Sequence, residues 1–182
     1  MKLRIKTTKF TVKAIGWIQI IGGVYGLGLM AYLMLNTGEI NGALLLIFLL
    51  GLTFFSFSIY SGKQLITKHT LKVGIVLSII NQVFQIVQFK IAGFGLSYSS
   101  GTELLIGFSD SIKFNFAIIS SSFKMSFNQD SSEIELMINI MAVLILIVLV
   151  DIWEEIKNEG QDELKIEDGQ ETDVEHTLAN NS

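Results

Sequence analysis

The stretch Leu71–Gly93, LKVGIVLSIINQVFQIVQFKIAG, constrains this chain more than any other. It is long and apolar enough to cross a bilayer, because about 20 residues rising about 1.5 Å each span the hydrocarbon core. Yet it carries Ser78, Asn81, Gln82, Gln85 and Gln88. At about 100° per residue these five share about one third of a helix circumference. A carboxamide left without a partner in lipid costs several kcal/mol. The stripe is therefore expected to face protein or water, with the other helices arranged to cover it.

Composition supports a membrane setting. Half of the 182 residues are hydrophobic and 16% are charged, against about 25% charged in soluble domains. Cys is absent, which excludes disulfides, thiolate metal sites and thiol nucleophiles. Pro is absent, so no helix is kinked by that route. The net charge of −4 conceals an asymmetry: Lys2, Arg4, Lys6, Lys9 and Lys13 open the chain, and acids dominate from Asp151 onward.

Four spans are expected. The first, Val12–Leu35, exceeds the h-region of a signal peptide (about 7–15 residues) and lacks a small-residue cleavage site, so it reads as retained. Gly22, Gly23 and Gly26 share a face with Gln19, and glycine lets another backbone approach closely. A polar turn, Asn36–Asn41, leads to span two, Ile40–Tyr60. Its Thr53, Ser56 and Ser58, and Ser61 beyond it, can bond to carbonyls one turn back. The loop Ser61–Lys72 carries Lys63, Lys68, His69 and Lys72. Short basic loops stay cytoplasmic, which places both termini in the cytoplasm. Span three is the striped helix, and span four is Ile134–Val150.

Between spans three and four the apolar period falls from 3.6 to about 2. Phe94, Leu96, Tyr98; Leu104, Ile106, Phe108; Ile112, Phe114, Phe116, Ile118; and Phe123, Met125, Phe127 alternate with small or polar residues. The intervening SSGT, SDS and SSS have turn chemistry. Four short antiparallel strands are expected, with one apolar and one Ser/Lys/Asn face. Such a sheet needs cover from helix ends, membrane surface or another copy. Unpaired ladder edges are excluded from hydrocarbon, so it is expected outside the core.

The expected fold is a four-transmembrane-helix bundle with an antiparallel β-meander on its outer face. Its parts are a basic cytoplasmic N-terminus (1–11), spans one to three (12–93), an extracytoplasmic meander (94–131), span four with a cytoplasmic extension (132–158) and an acidic disordered tail (159–182). The setting is the cytoplasmic (inner) membrane. The layout resembles the style of small bacterial membrane proteins, a likeness that implies no activity.

Depth matching suggests which groups meet. Gln88 and Asn139 lie near the outer ends of their spans, as do Lys90 and Glu135, a candidate ion pair. Gln19 enters at the depth of Ser78 and Asn81. No H-E-x-x-H, G-x-S-x-G, P-loop or dinucleotide glycine motif is present. His69 and His176 lie in polar segments, so no catalytic residue, metal or cofactor is expected. The few juxtamembrane cations suit orientation and anionic lipid rather than nucleic acid. The expected function is a non-enzymatic membrane protein acting by association, an envelope scaffold or accessory subunit. Its partners would be lipid, another copy or an envelope protein on the sheet, and a cytoplasmic partner on the acidic tail. The alternative is a small oligomeric channel or a protein binding a neutral solute or lipid through the amide stripe. A wet cavity beside the amides would favour that alternative, and a dry hydrogen-bonded seam would oppose it.

Overall fold

The computed structural model describes residues 3–91, 93–108, 112–126 and 134–158. The tail beyond 158 lies outside the described residues. Two long helices, α1 (Leu3–Asn36) and α2 (Gly42–Ile66), run antiparallel. Asn41 starts α2, its Oδ1 accepting the Leu44 N–H at 2.9 Å, which satisfies one of the orphan donors of the first turn. The helices approach along small residues. Gly23 faces Ile59 and the Phe55 carbonyl, Gly26 faces the Phe55 ring, and Gly62 faces the Gly16 carbonyl. A 3-10 turn, Lys68–Thr70, leads to α3 (Leu71–Ile86). There Gly74 lets α3 sit against the backbone of Leu65.

Span three does not continue to Gly93. At 16 residues α3 is about 24 Å long, short of a bilayer core of about 30 Å. Val87–Ile91 instead forms strand β1. Its V-Q-F-K-I alternation suits a half-buried strand, and Gly93 at φ 82° turns the chain into β2 (Phe94–Phe108). Strand β3 (Ile112–Ser126) follows. Span four likewise loses its start: Glu135–Asn139 is strand β4, and helix α4 covers residues 140–158. Asn139 ends β4 and caps α4, its Oδ1 accepting the Ala142 N–H at 3.3 Å. Two helical stretches, Thr8–Asn36 and Gly42–Ile66, are long and apolar enough to cross a membrane. α3 falls short in length, and α4 carries Asp151, Glu154, Glu155 and Lys157 in its second half. From Val150 the chain belongs to a second compact unit, of which residues 150–158 are described as helical.

The sheet is antiparallel, but its strands are divided differently from the sequence reading. SSGT and SSS are not turns. The first two expected strands are one, β2, and the last two are one, β3. β1 pairs antiparallel with β2 (Phe89↔Leu96) and with β4 (Phe89↔Leu136), and β4 pairs antiparallel with β2 (Phe108↔Leu136). Three straight strands cannot all be mutually antiparallel. β2 must reverse direction between Leu96 and Leu105, and β3, paired along both halves, must fold with it. The corner is visible in the register. Gly101 pairs with Ser120 and Glu103 with Ala117, so β3 carries one extra residue there. Gly101 takes φ 114°, which a residue with a Cβ rarely adopts.

The folded sheet therefore curls around an interior, with the ring first half of β2, β1, β4, second half of β2. Polar residues dominate the inward positions: Gln88, Lys90, Ser97, Glu103, Asn115, Ser120, Ser122, Lys124, Ser126 and Glu135 line the interior. Outward positions are mostly apolar, among them Val87, Ile91, Leu104, Ile106, Phe114, Phe116, Ile118, Phe123, Leu136 and Ile138.

One flank of the outer face packs on the helices. Tyr98 and Phe123 join Met30, Phe48 and Phe55 in a buried core. The Phe54 ring lies 4.8 Å from Tyr98 and 5.8 Å from Phe123. The Tyr98 hydroxyl donates to the Phe54 carbonyl at 3.0 Å, and Ser121 Oγ donates to the Gly22 carbonyl at 2.6 Å. Gly22 and Phe54 lie near the middles of the two long apolar stretches. The sheet thus leans along the helices instead of sitting on their outer ends. β1, β4 and β2 close on one another through their pairings, while β3 pairs with β2 and stands at the end of the strand order.

Candidate functional site

Two polar regions adjoin. The first is a buried seam where α1, α2, α3 and β2 meet. Gln19, Ser58, Ser78, Asn81, Gln82, Gln85 and Ser100 are all buried in it. Ser78 Oγ donates to Gln19 Oε1 at 3.1 Å, so Gln19 and Ser78 meet. Ser58 Oγ donates to the Gln19 carbonyl at 3.1 Å and accepts from Asn81 Nδ2 at 3.3 Å and Ser100 Oγ at 3.0 Å. Asn81 Oδ1 also accepts from the Tyr98 hydroxyl at 3.1 Å. Low local dielectric strengthens such a network when its members are satisfied.

The amides have a second task. One edge of β2 is paired with β1 at 94–96 and with β4 at 105–108. Between these strands, side-chain carbonyls take the place of a ladder. Gln85 Oε1 accepts the Ser100 N–H at 2.9 Å, and Asn139 Oδ1 accepts the Leu104 N–H at 3.2 Å. The corner of the folded sheet is thus sealed by α3 and by the β4–α4 junction.

The second region is the interior of the curled sheet, a hollow of about 600 Å³. Buried Gln88 and Glu103 form its floor, and exposed Asn115 and Lys124 form its rim. Gln88 Oε1 accepts from Ser97 Oγ at 2.6 Å, while its Nε2 is buried with no partner among the described residues. Glu103 accepts from Ser120 Oγ at 3.4 Å. The lining of the hollow comes from both halves of β2 and β3, so only the fold at Gly101 brings these groups together.

The expected meeting of Gln88 with Asn139 needs correction, whereas Lys90 and Glu135 are brought opposite each other. Gln88 turns into the hollow toward Ser97, and Asn139 is taken by the backbones of β2 and α4. Lys90 and Glu135 are cross-strand partners in register. The Glu135 carboxylate is held by Lys113 Nζ at 2.9 Å. Depth matching assumed helices at these positions, and the strands send Gln88 and Asn139 to different partners. Gly22, Gly23 and Gly26 all give close approach, but Gly22 receives the strand backbone at Gly101 and the other two receive α2.

Sequence reasoning missed Ser58, Tyr98, Ser100 and Glu103. Thr53 and Ser61 do bond one turn back, to Leu49 and Phe57, whereas Ser58 leaves its own helix. The available signal was its place beside Phe55, Gly51 and Gly62 on the buried face of α2. Among the described residues no group of three or more His, Asp or Glu gathers into a metal-binding cluster. Comparison with protein-family models, with curated proteins and with solved structures gives no match for this chain.

Proposed function

We propose that this chain is a membrane-embedded binding protein that offers the hollow of its folded sheet to a hydrophilic molecule, without catalysing a reaction. The observation that carries the reading is the reversed polarity of the sheet. In water a curled sheet turns apolar residues inward. Here polar side chains outnumber apolar ones such as Leu105 and Met137 in the interior, and Phe114, Phe116 and Ile118 stand outward at 69%, 54% and 69% exposure. That alternation is the one used by strands whose outer face meets lipid. The helices support it: only 28% and 22% of their most apolar windows are buried, too little for core helices of a soluble fold. Strand backbone at membrane depth is tolerated where it is buried in protein or lines a cavity.

The corner at Gly101 lies against Ile18 and Gly22, and the far end of the curl lies toward Met30. With the basic N-terminus cytoplasmic, the hollow opens to the outer side. Because the chain has no thiol, single cysteines test this cleanly. In intact membranes Ser122→Cys, inside the hollow, should react with an impermeant maleimide from outside. Phe116→Cys, on the outer face, should resist it and react with a lipid-soluble reagent. A Ser122→Cys that resists hydrophilic reagents in membranes and in detergent removes the reading.

The association reading also has an observation in its favour. β3 stands at one end of the strand order and bears the exposed Phe114, Phe116 and Ile118. An apolar edge strand is a natural docking surface for another copy or an envelope partner. Spontaneous disulfide dimers of Phe116→Cys would favour that use of the face.

A further inference from the structure

Four charged side chains line the hollow: Lys90, Lys124, Glu103 and Glu135. Glu135 is answered by Lys113 at 2.9 Å. Lys90 stands across from Glu135 in register, though no bond joins them, and Lys124 has no ion-pair or hydrogen-bond partner among the described residues. Glu103 is only 4% exposed and receives one long hydrogen bond from Ser120 at 3.4 Å. This bond is too long to occupy the carboxylate, whose remaining acceptor capacity faces the hollow, where a ligand cation can meet it. Gln88 presents the opposite deficit, a buried Nε2 donor with nothing to accept from it.

The hollow therefore has two unanswered kinds of group. Lys90, Lys124 and Gln88 Nε2 call for an anion, and Glu103 calls for a cation. A simple anion meets the repulsion of Glu103, and a simple cation meets two lysines. A neutral polyol uses neither the lysines nor the Glu103 carboxylate as charges. At about 600 Å³ the space is of ligand-pocket size. Building on the hollow as a binding site, we propose that its ligand is a small zwitterion. An acidic phosphate or carboxylate would be held by Lys90, Lys124 and Gln88, with an ammonium a few bonds away held by Glu103. The headgroup of phosphatidylethanolamine and free solutes such as phosphoethanolamine share that chemistry.

The test measures binding to the full chain in nanodiscs of phosphatidylglycerol by calorimetry, with phosphoethanolamine, inorganic phosphate and ethanolamine as probes. Phosphoethanolamine should bind at least about tenfold more tightly than either fragment. Glu103→Gln keeps the shape of the side chain and should lose about tenfold for phosphoethanolamine while phosphate binding holds or improves. Lys124→Gln, at the exposed rim where folding is not at stake, should weaken phosphoethanolamine and phosphate but not ethanolamine. Phosphate binding as tightly as phosphoethanolamine, or a Lys124→Gln without effect, overturns the proposal. Repeating the titration in phosphatidylethanolamine discs separates the sources: lost binding assigns the site to the lipid headgroup, and unchanged binding assigns it to a free solute. A Ser122→Cys that labels from water while no zwitterion preference appears sinks this inference alone and leaves the hollow as a site of other specificity. A Ser122→Cys that stays unlabelled sinks both.

Discussion

Gly22 of α1 and Gly101 of β2 meet backbone to backbone, so closely that a Cβ on Gly22 would stand 2.6 Å from the Gly101 Cα. A Cβ on Gly101 would in turn stand 2.7 Å from Ile18 Cγ2, at a φ of 114° that disfavours any side chain. This contact holds the folded corner of the sheet against the first helix. Gly22→Ala is expected to destabilise by about 1–3 kcal/mol through overpacking, and Gly22→Leu by more. Gly28 has nothing within 4 Å of a built Cβ, so Gly28→Ala should be neutral or gain up to about 1 kcal/mol of helix propensity. Unfolding in detergent by heat or denaturant compares the three. Equal effects at Gly22 and Gly28 would deny the contact its importance.

The amide carbonyls that replace a strand beside β2 should behave as backbone partners. Gln85→Leu leaves the Ser100 N–H buried without an acceptor, at a cost of about 1–3 kcal/mol. Asn139→Leu strips an acceptor from both Leu104 and Ala142 and should cost more. Amide hydrogen exchange gives the local reading: protection should fall at Ser100 in the first variant and at Leu104 in the second, with little change at Phe123.

Ser58 and Ser61 lie one turn apart on α2 and are equally buried, but they answer to different partners. Ser61 donates to its own helix at Phe57. Ser58 joins Gln19, Asn81 and Ser100. Ser58→Ala is expected to cost about 2 kcal/mol, within the range for leaving buried polar groups unpaired, and Ser61→Ala to be nearly neutral. The pair of melting curves decides whether the seam joins helices to sheet or is only locally satisfied.

Adjacent positions on β3 test the polarity of the curl. Asn115 points into the hollow and Phe116 outward. Phe116→Lys should cost about 2–4 kcal/mol if it reaches mid-bilayer, falling toward about 0–1 near the interface. Asn115→Lys should be tolerated. Folding yield in liposomes distinguishes them. The reverse order would mean that the outer face of the sheet meets water.

Some of this organisation is legible in the sequence. The spacing of Ser78, Asn81, Gln82 and Gln85 puts them on one helix face, and the cost of wet groups in lipid says that the face must be covered; all four are buried. The alternation from Phe94 onward announces strands. The ends of the helices are harder to read. Val87–Ile91 and Glu135–Asn139 sit inside apolar runs that suit helix or strand alike, and pairing with residues distant in sequence decides between them. Gly101 and Ser120–Ser122 carry turn chemistry because the chain does bend there, yet it bends within paired strands. Local preference reports a bend without saying whether the ladder survives it. The hollow follows from that fold, so its lining could not be gathered from any one stretch.

The ring of strands also sets an order of assembly. β1 follows α3 directly and can pair with β2 once Gly93 has turned the chain, but β4, which joins β1 to the second half of β2, is the last of the four to be synthesised. A growing polypeptide can pair its first two helices early, whereas β1 and β2 must wait with open hydrogen-bonding edges until Asn139 arrives. A chaperone, the insertion machinery or a neighbouring copy has that interval in which to intervene, and a transcript cut short before Glu135 would release a product with no means of closing.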